Sequence, residues 1–191
     1  MYDLEPATRT LAHLVNGVRD DQLTAATPCD EYSLGDLVEH VDGLSLAFTW
    51  AATKDERAFS GAAPQPDAAK LRAGWRDRIP EQLDALAEAW REPAAWEGMT
   101  RAGGVDLPGE VAAMVALDEV VLHGWDIARA TGQPFDVDEQ SLEVCLQFVT
   151  ETAASPGESG LFKPPVPVRG DAPLVERVLG LSGRNPAWPA R

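Results

Sequence analysis

The stretch Leu117-Asp118-Glu119-Val120-Val121-Leu122-His123-Gly124-Trp125-Asp126 sets a carboxylate and an imidazole four residues apart inside an apolar run. Four residues are about one turn of an α-helix, so Glu119 and His123 project from one face and can grip a single ion. A second helical pattern, Leu37-Val38-Glu39-His40-Val41, brings another imidazole. His40, Glu119 and His123 together make an N/N/O set of the kind catalytic zinc sites use, with positions left open for water or a substrate atom. Asp126, three residues beyond His123, stays on the same side of the helix, where it can orient the imidazole or act as a base beside an ion-bound group. If Asp126 is only an ordinary ion-pairing residue, Arg129 is its candidate partner.

Each of these residues also has a plainer reading. His40 shares a stripe with Leu37, Val41 and Leu44, the side expected to face a neighbouring helix, and an inward histidine can be a hydrogen-bonded core residue. Glu119 either points to solvent from a half-buried helix, exposing His123 with it, or turns inward, where a carboxylate needs a partner, a proton or a cation. The remaining histidine, His13, has no partner at ligand spacing, so the chain offers one economical set of three ligands.

The chain has 191 residues, a length suited to one domain with a substantial core. Lys and Arg number 16 against 31 Asp and Glu, a net charge of −15, which disfavours a phosphate-tracking nucleic-acid surface and an anionic membrane alike. Cys29 and Cys145 match no zinc or redox spacing and read as small buried hydrophobes in a reducing compartment. The start, Met1-Tyr2-Asp3-Leu4-Glu5, lacks a basic and apolar leader pattern, and no run approaches a membrane span, so a cytoplasmic protein is expected. Six Trp at helical spacings read as core rather than as a cofactor box.

Helical spacing over 4–18 predicts a first helix, followed by a loop through Thr27-Pro28-Cys29-Asp30-Glu31-Tyr32. Ser33 with Asp36 resembles a capping arrangement opening a second helix over 34–53. Residues 61–66 read as a loop before a third helical pattern over 68–90, in which Pro80 predicts a kink or break near Ile79. Gly103-Gly104 suits a hairpin or an irregular loop. Pro108 then fits the first turn of the helix that carries Glu119 and His123, with Gly132 as its stop. Leu142, Cys145, Leu146 and Val149 suggest a fifth helix ending before Pro156, and the proline-rich tail holds one more short helical candidate at 174–181.

His123-Gly124-Trp125-Asp126 followed by Ile127-Ala128-Arg129-Ala130-Thr131-Gly132-Gln133, taken with Thr27-Pro28-Cys29 and His40, resembles the mycothiol-dependent maleylpyruvate isomerase family of the DinB-like superfamily. The closing Leu179-Gly180-Leu181-Ser182-Gly183-Arg184-Asn185-Pro186-Ala187-Trp188 resembles the tail of an actinobacterial subgroup. The resemblance spans nearly the whole chain. It implies an all-α, DinB-like four-helix bundle with a short additional helix or hairpin and a proline-rich C-terminal tail: residues 1–155 as the metal-binding bundle, 156–191 as the tail packing on it. It further implies a divalent metal, zinc by first expectation with nickel, iron or manganese as alternatives, held by His40, Glu119 and His123. Asp126 falls on an acidic residue implicated in the family's chemistry, and mycothiol is the implied thiol cosubstrate. The characterised isomerase type carries a further α/β domain with a substrate-binding arginine, for which this chain has a short tail.

The expected function is therefore a divalent-metal-binding, mycothiol-dependent enzyme activating a thiol for isomerisation, conjugation or S-transfer on a small electrophile. Its partners are a small thiol and an electrophilic substrate, with no nucleic acid and no membrane, and a homodimer is left open by the sequence. Alternatives are a non-catalytic metal or small-ligand binding module of stress-response type, metal-assisted hydrolysis with Asp126 as base, and a purely structural helical protein.

Overall fold

The computed structural model describes residues 1–59, 65–153 and 162–189. Four long helices build the core: α1 (Glu5–Asn16), α2 (Leu34–Thr53), α3 (Trp75–Arg91) and α5 (Gly109–Thr131), with the one-turn α4 (Pro93–Trp96) between them. α1 and α2 each pack against both α3 and α5, which closes a four-helix ring. α6 (Glu139–Ala153) lies on α5, and α7 (Leu174–Leu181) lies on α6. With the ring on one side and α6 on the other, α5 is buried nearly all round, which explains why its sequence is apolar on every face rather than striped.

Local chemistry sets the element ends. Ser33 Oγ accepts from the Asp36 N–H at 3.2 Å while the Asp36 carboxylate accepts from the Ser33 N–H at 2.9 Å, a reciprocal cap that starts α2 at the expected residue. Gly132, at φ 74°, ends α5 in the left-handed conformation that favours glycine. The strands β1 (Met99–Ala102) and β2 (Val105–Pro108) form an antiparallel hairpin with Ala102 opposite Val105. Gly103 and Gly104 both have positive φ, as a two-residue turn of this hand requires. Thr100 ties the hairpin to the end of α2 by donating to the Ala51 carbonyl at 2.6 Å. Trp75, Trp90 and Trp125 are buried in the core, and Trp96 crosses edge-on to both Tyr2 and Trp90.

The third helical region differs from expectation in two ways. Residues 68–70 form a separate 3-10 turn, and α3 starts only at Trp75, after Gly74 at φ 75°. Pro80 also fails to break the helix. Because α3 starts so late, Pro80 sits in its second turn and removes a donor only from the partly exposed Arg76 carbonyl, a loss that buried Ile79, Leu83 and Leu86 outweigh. The expected loop at 61–66 lies outside the described residues at 61–64, as does Pro156 beyond the end of α6.

The start of α5 is fixed by close approach. A Cβ on Gly109 would fall 2.3 Å from the Ala95 carbonyl oxygen, a backbone atom with little freedom to retreat. Gly109→Ala is therefore expected to lower unfolding stability by about 1–3 kcal/mol in chemical denaturation. Gly43, in the middle of α2, has open space where its Cβ would stand, so Gly43→Ala should stabilise by about 0.5–1 kcal/mol in the same assay.

Candidate metal centre

Two helices of the ring meet at the site: α2 supplies His40, and α5 supplies Glu119, His123 and Asp126. The side chains of His40 and Glu119 keep 27% and 28% exposure whereas that of His123 keeps 9%, so the cluster opens to solvent along one edge. Glu119 thus takes neither extreme placement: it turns toward α2 at a water-reached rim, with His123 behind it. Its neighbour Asp118 faces the other way, fully buried beside Cys145. Burial, followed by the Glu119 charge, pushes its carboxyl well above the usual range.

One oxygen, Glu119 Oε2, is met by His123 Nε2 at 2.9 Å and by His40 Nε2 at 3.3 Å. The imidazole rings stand at 89° with centroids 4.9 Å apart, and the three ligand atoms lie within 4.8 Å of one another. On its far side, His123 donates from Nδ1 to Asp126 Oδ2 at 3.1 Å, because an ionised carboxylate can only accept. That bond directs the Nε2 lone pair toward the cluster when the ring is neutral, as in histidine–metal sites backed by a carboxylate. Two imidazole nitrogens and one carboxylate oxygen converging from separate helices fit a divalent ion of the zinc type.

The charges are interlocked. Burial alone would lower His123, but hydrogen bonds to Asp126 and Glu119 and their negative charges outweigh it and raise the imidazole to about 9. Burial would raise the Glu119 carboxyl, yet the hydrogen bonds from His123 and His40 hold it far below its usual range. Burial also opposes ionisation of Asp126, and the Arg184 charge, with the hydrogen bonds from His123 and Arg184, overrides it and lowers the carboxyl.

Arg184 was not singled out by its spacing, and the structure gives it the part expected of Arg129. Its guanidinium forks onto Asp126, with Nε donating to Oδ1 at 2.9 Å and Nη2 to Oδ2 at 2.8 Å. Arg129 instead donates to the Trp188 carbonyl and lies 5.9 Å from the Trp125 ring. Cys29 is near the same ion pair, and burial together with the Asp126 charge pushes its thiol up to about 11, so at neutral pH it is not a thiolate. Tyr32, read from sequence only as part of a loop, stacks at 6.5 Å and 23° on His40 at the open edge. Burial first, and then the nearby carboxylate charges of Glu31, Glu119 and Asp36, raise its phenol and keep it a donor.

Known proteins resemble this chain in sequence and in fold. Two uncharacterized proteins of Mycobacterium tuberculosis, from two strains, are 30% identical to this chain over 187 residues, covering 94% of each sequence. The crystal structure of a mycothiol-dependent maleylpyruvate isomerase superposes with a TM-score of 0.64 at 18% identity, over 97% of this chain and 88% of that one. A histidine-to-alanine mutant of a mycothiol-dependent maleylpyruvate isomerase gives 0.63 at 18% identity, over 81% and 69%. At such identity these two solved structures speak for the fold. The family model of the mycothiol maleylpyruvate isomerase N-terminal domain matches residues 4–128, a span that includes His40, Glu119, His123 and Asp126. The chain accordingly belongs to the mycothiol maleylpyruvate isomerase N-terminal domain family.

Proposed function

We propose that this protein is a divalent-metal-dependent enzyme that activates mycothiol for isomerisation, conjugation or S-transfer on a small electrophile. The observation that carries this reading is the convergence of His40 Nε2, His123 Nε2 and Glu119 Oε2 at a rim that solvent reaches. A divalent ion held by these three residues, zinc by first expectation, would supply a Lewis acid that brings the pKa of a thiol toward neutrality. Family membership and the fold shared with a mycothiol-dependent maleylpyruvate isomerase support mycothiol as that thiol.

The chain's own residues then divide the work. Glu119 brings negative charge to the ligand set, and Asp126 holds the tautomer and direction of His123. Asp126 is a positioning residue in this reading rather than a base, since both its oxygens are engaged and its carboxyl is held ionised below its usual range. Tyr32 stands at the open edge with a phenolic proton to donate to whatever binds beside His40. We assign this chemistry to residues 1–155 with 156–191 as the tail, and place it in the cytoplasm. The free thiols of Cys29 and Cys145 suit a reducing compartment, and no helix among the described residues is long and apolar enough to cross a membrane.

The test combines metal analysis with turnover. Protein purified without chelator should carry about one zinc-type ion per chain. It should consume small electrophiles such as cis-enones only when mycothiol is added, and Glu119→Ala or His123→Ala should lose both the ion and the turnover. Stoichiometric metal with no thiol dependence would leave a binding module or a hydrolase in place of the thiol enzyme.

A second expectation concerns protons. Because His123 holds its charge up to about 9 in the metal-free fold, an incoming ion near neutrality must displace a proton. Affinity therefore rises with pH, by up to about tenfold per unit, and levels off above the His123 value. Calorimetric titration at about pH 7.5 in buffers of different ionisation enthalpy should report about one proton released per ion. The same raised value stabilises the metal-free fold fully below 6.5, and that contribution is lost as pH rises through about 9.

A further inference from the structure

The carboxylate behind the cluster is paired by a residue that lies outside the family-matched span of 4–128. His123 can present Nε2 to Glu119 and His40 in a fixed direction only while its other edge is anchored, and the anchor, Asp126, has no solvent exposure at all. A carboxylate so placed stays ionised and immobile only if it is paired. Arg184 provides that pairing through a two-pronged contact at 2.9 and 2.8 Å, with 12% of its own side chain exposed.

The tail is shaped to deliver this guanidinium. α7 ends with the Gly183 N–H donating to the Gly180 carbonyl at 3.1 Å and the Arg184 N–H to the Leu179 carbonyl at 2.9 Å, a paired closure that reverses the chain. Gly183, at φ 77°, takes the left-handed position in that closure, and a Cβ there would come within 2.7 Å of the Lys163 carbonyl oxygen. α7 is tied back to the start of the tail by the Val166 N–H donating to the Gly180 carbonyl at 2.8 Å. Arg184 therefore leaves the turn aimed at α5. Two of its three nitrogens are engaged by Asp126, and the third, Nη1, contacts Ser182 Oγ at 3.4 Å.

We propose that Arg184 is a positioning residue through which the C-terminal tail sets the metal affinity of the bundle, in the series Arg184 to Asp126 to His123, and that its guanidinium is not a receptor for a substrate carboxylate. This rests on the metal-site reading above. The geometry favours positioning over substrate binding because both prongs are already closed on Asp126 inside the fold, whereas the open rim of the site lies at His40 and Tyr32.

The test uses the full-length chain with Co2+ and Zn2+ as probes, their affinities measured by chelator competition, and thermal unfolding followed in parallel without metal. Arg184→Gln is expected to weaken both ions by about 10–100-fold and to change the visible spectrum of bound Co2+. Arg184→Lys, which keeps the charge but not the two-pronged geometry, should recover part of the loss. Asp126→Asn should lose affinity comparably, and the double variant should be little worse than the poorer single one, because the two residues act in series. Arg129→Ala, which frees the tail's hold on the Trp188 carbonyl without touching Asp126, should leave metal affinity within about twofold, the scatter of independent sites.

If Arg184→Gln does not fold, Arg184→Lys and Asp126→Asn still decide the matter. A folded Arg184→Gln with unchanged metal affinity and spectrum overturns the proposal. So does a variant that keeps its metal but binds maleate more weakly than the parent, which would make Arg184 a receptor for carboxylates. The His123 ring 15N resonances of metal-free protein give an independent reading. Recorded above about pH 9, where the ring is neutral, they should shift toward a mixed tautomer in Arg184→Gln, and unmoved resonances count against positioning whether or not an ion binds. A parent protein that takes up neither ion, with His123 resonances still sensitive to Arg184, would sink the metal reading alone.

Discussion

A single buried negative charge, the Asp126 carboxylate, organises the functional half of this molecule. Withdrawn from water, it must be met by donors on both sides, and it is: His123 Nδ1 on one and the Arg184 guanidinium on the other. Each partner gains direction from the exchange. The imidazole is turned so that its other nitrogen faces Glu119, and the tail is fastened to α5 at a point deep in the fold. The ligand cluster and the C-terminal segment are therefore one electrostatic unit although they come from different parts of the chain.

The helical ring makes that unit affordable in structural terms. Because α5 is enclosed by α1 and α2 on one side and α6 on the other, charged groups on it must find partners within the protein or reach an edge. Asp118 meets this constraint with a carboxyl that burial pushes well above the usual range, Asp126 as an ion pair, and Glu119 by leaning over the rim toward His40. Three carboxyl groups within nine positions of one helix thus occupy three different electrostatic states. Of the three, the rim position offers ionised oxygen to both imidazoles and access from solvent, which is why the proposed metal chemistry is placed there and not at its neighbours.

The start of α2 was legible because Ser33 and Asp36 satisfy each other across three residues, and the turn at Gly103-Gly104 because positive φ at both positions selects glycine. The side-chain cluster was legible in part: a spacing of four residues puts Glu119 and His123 on one helix face whatever surrounds the helix. Of the kink or break expected at Pro80 the break does not occur, because it depends on where the helix begins, and that was decided by Gly74 and by the packing of Trp75 and Ile79. Arg129 misled for a related reason. It lies three residues from Asp126 on the same helix, but on a face from which it reaches the Trp188 carbonyl, while the partner Asp126 found lies 58 residues away.

By itself the sequence determined where α2 starts and where α5 stops, and that Glu119 and His123 share one turn, since caps, glycine conformations and the 3.6-residue repeat are all local properties of the chain. Only the tertiary structure decided that His40 and Glu119, 79 residues apart, point at the same place, and that Arg184 is the counter-charge of Asp126. Those choices depend on the relative placement of helices and on which charge is cut off from water, and neither quantity exists until the helices have packed against one another.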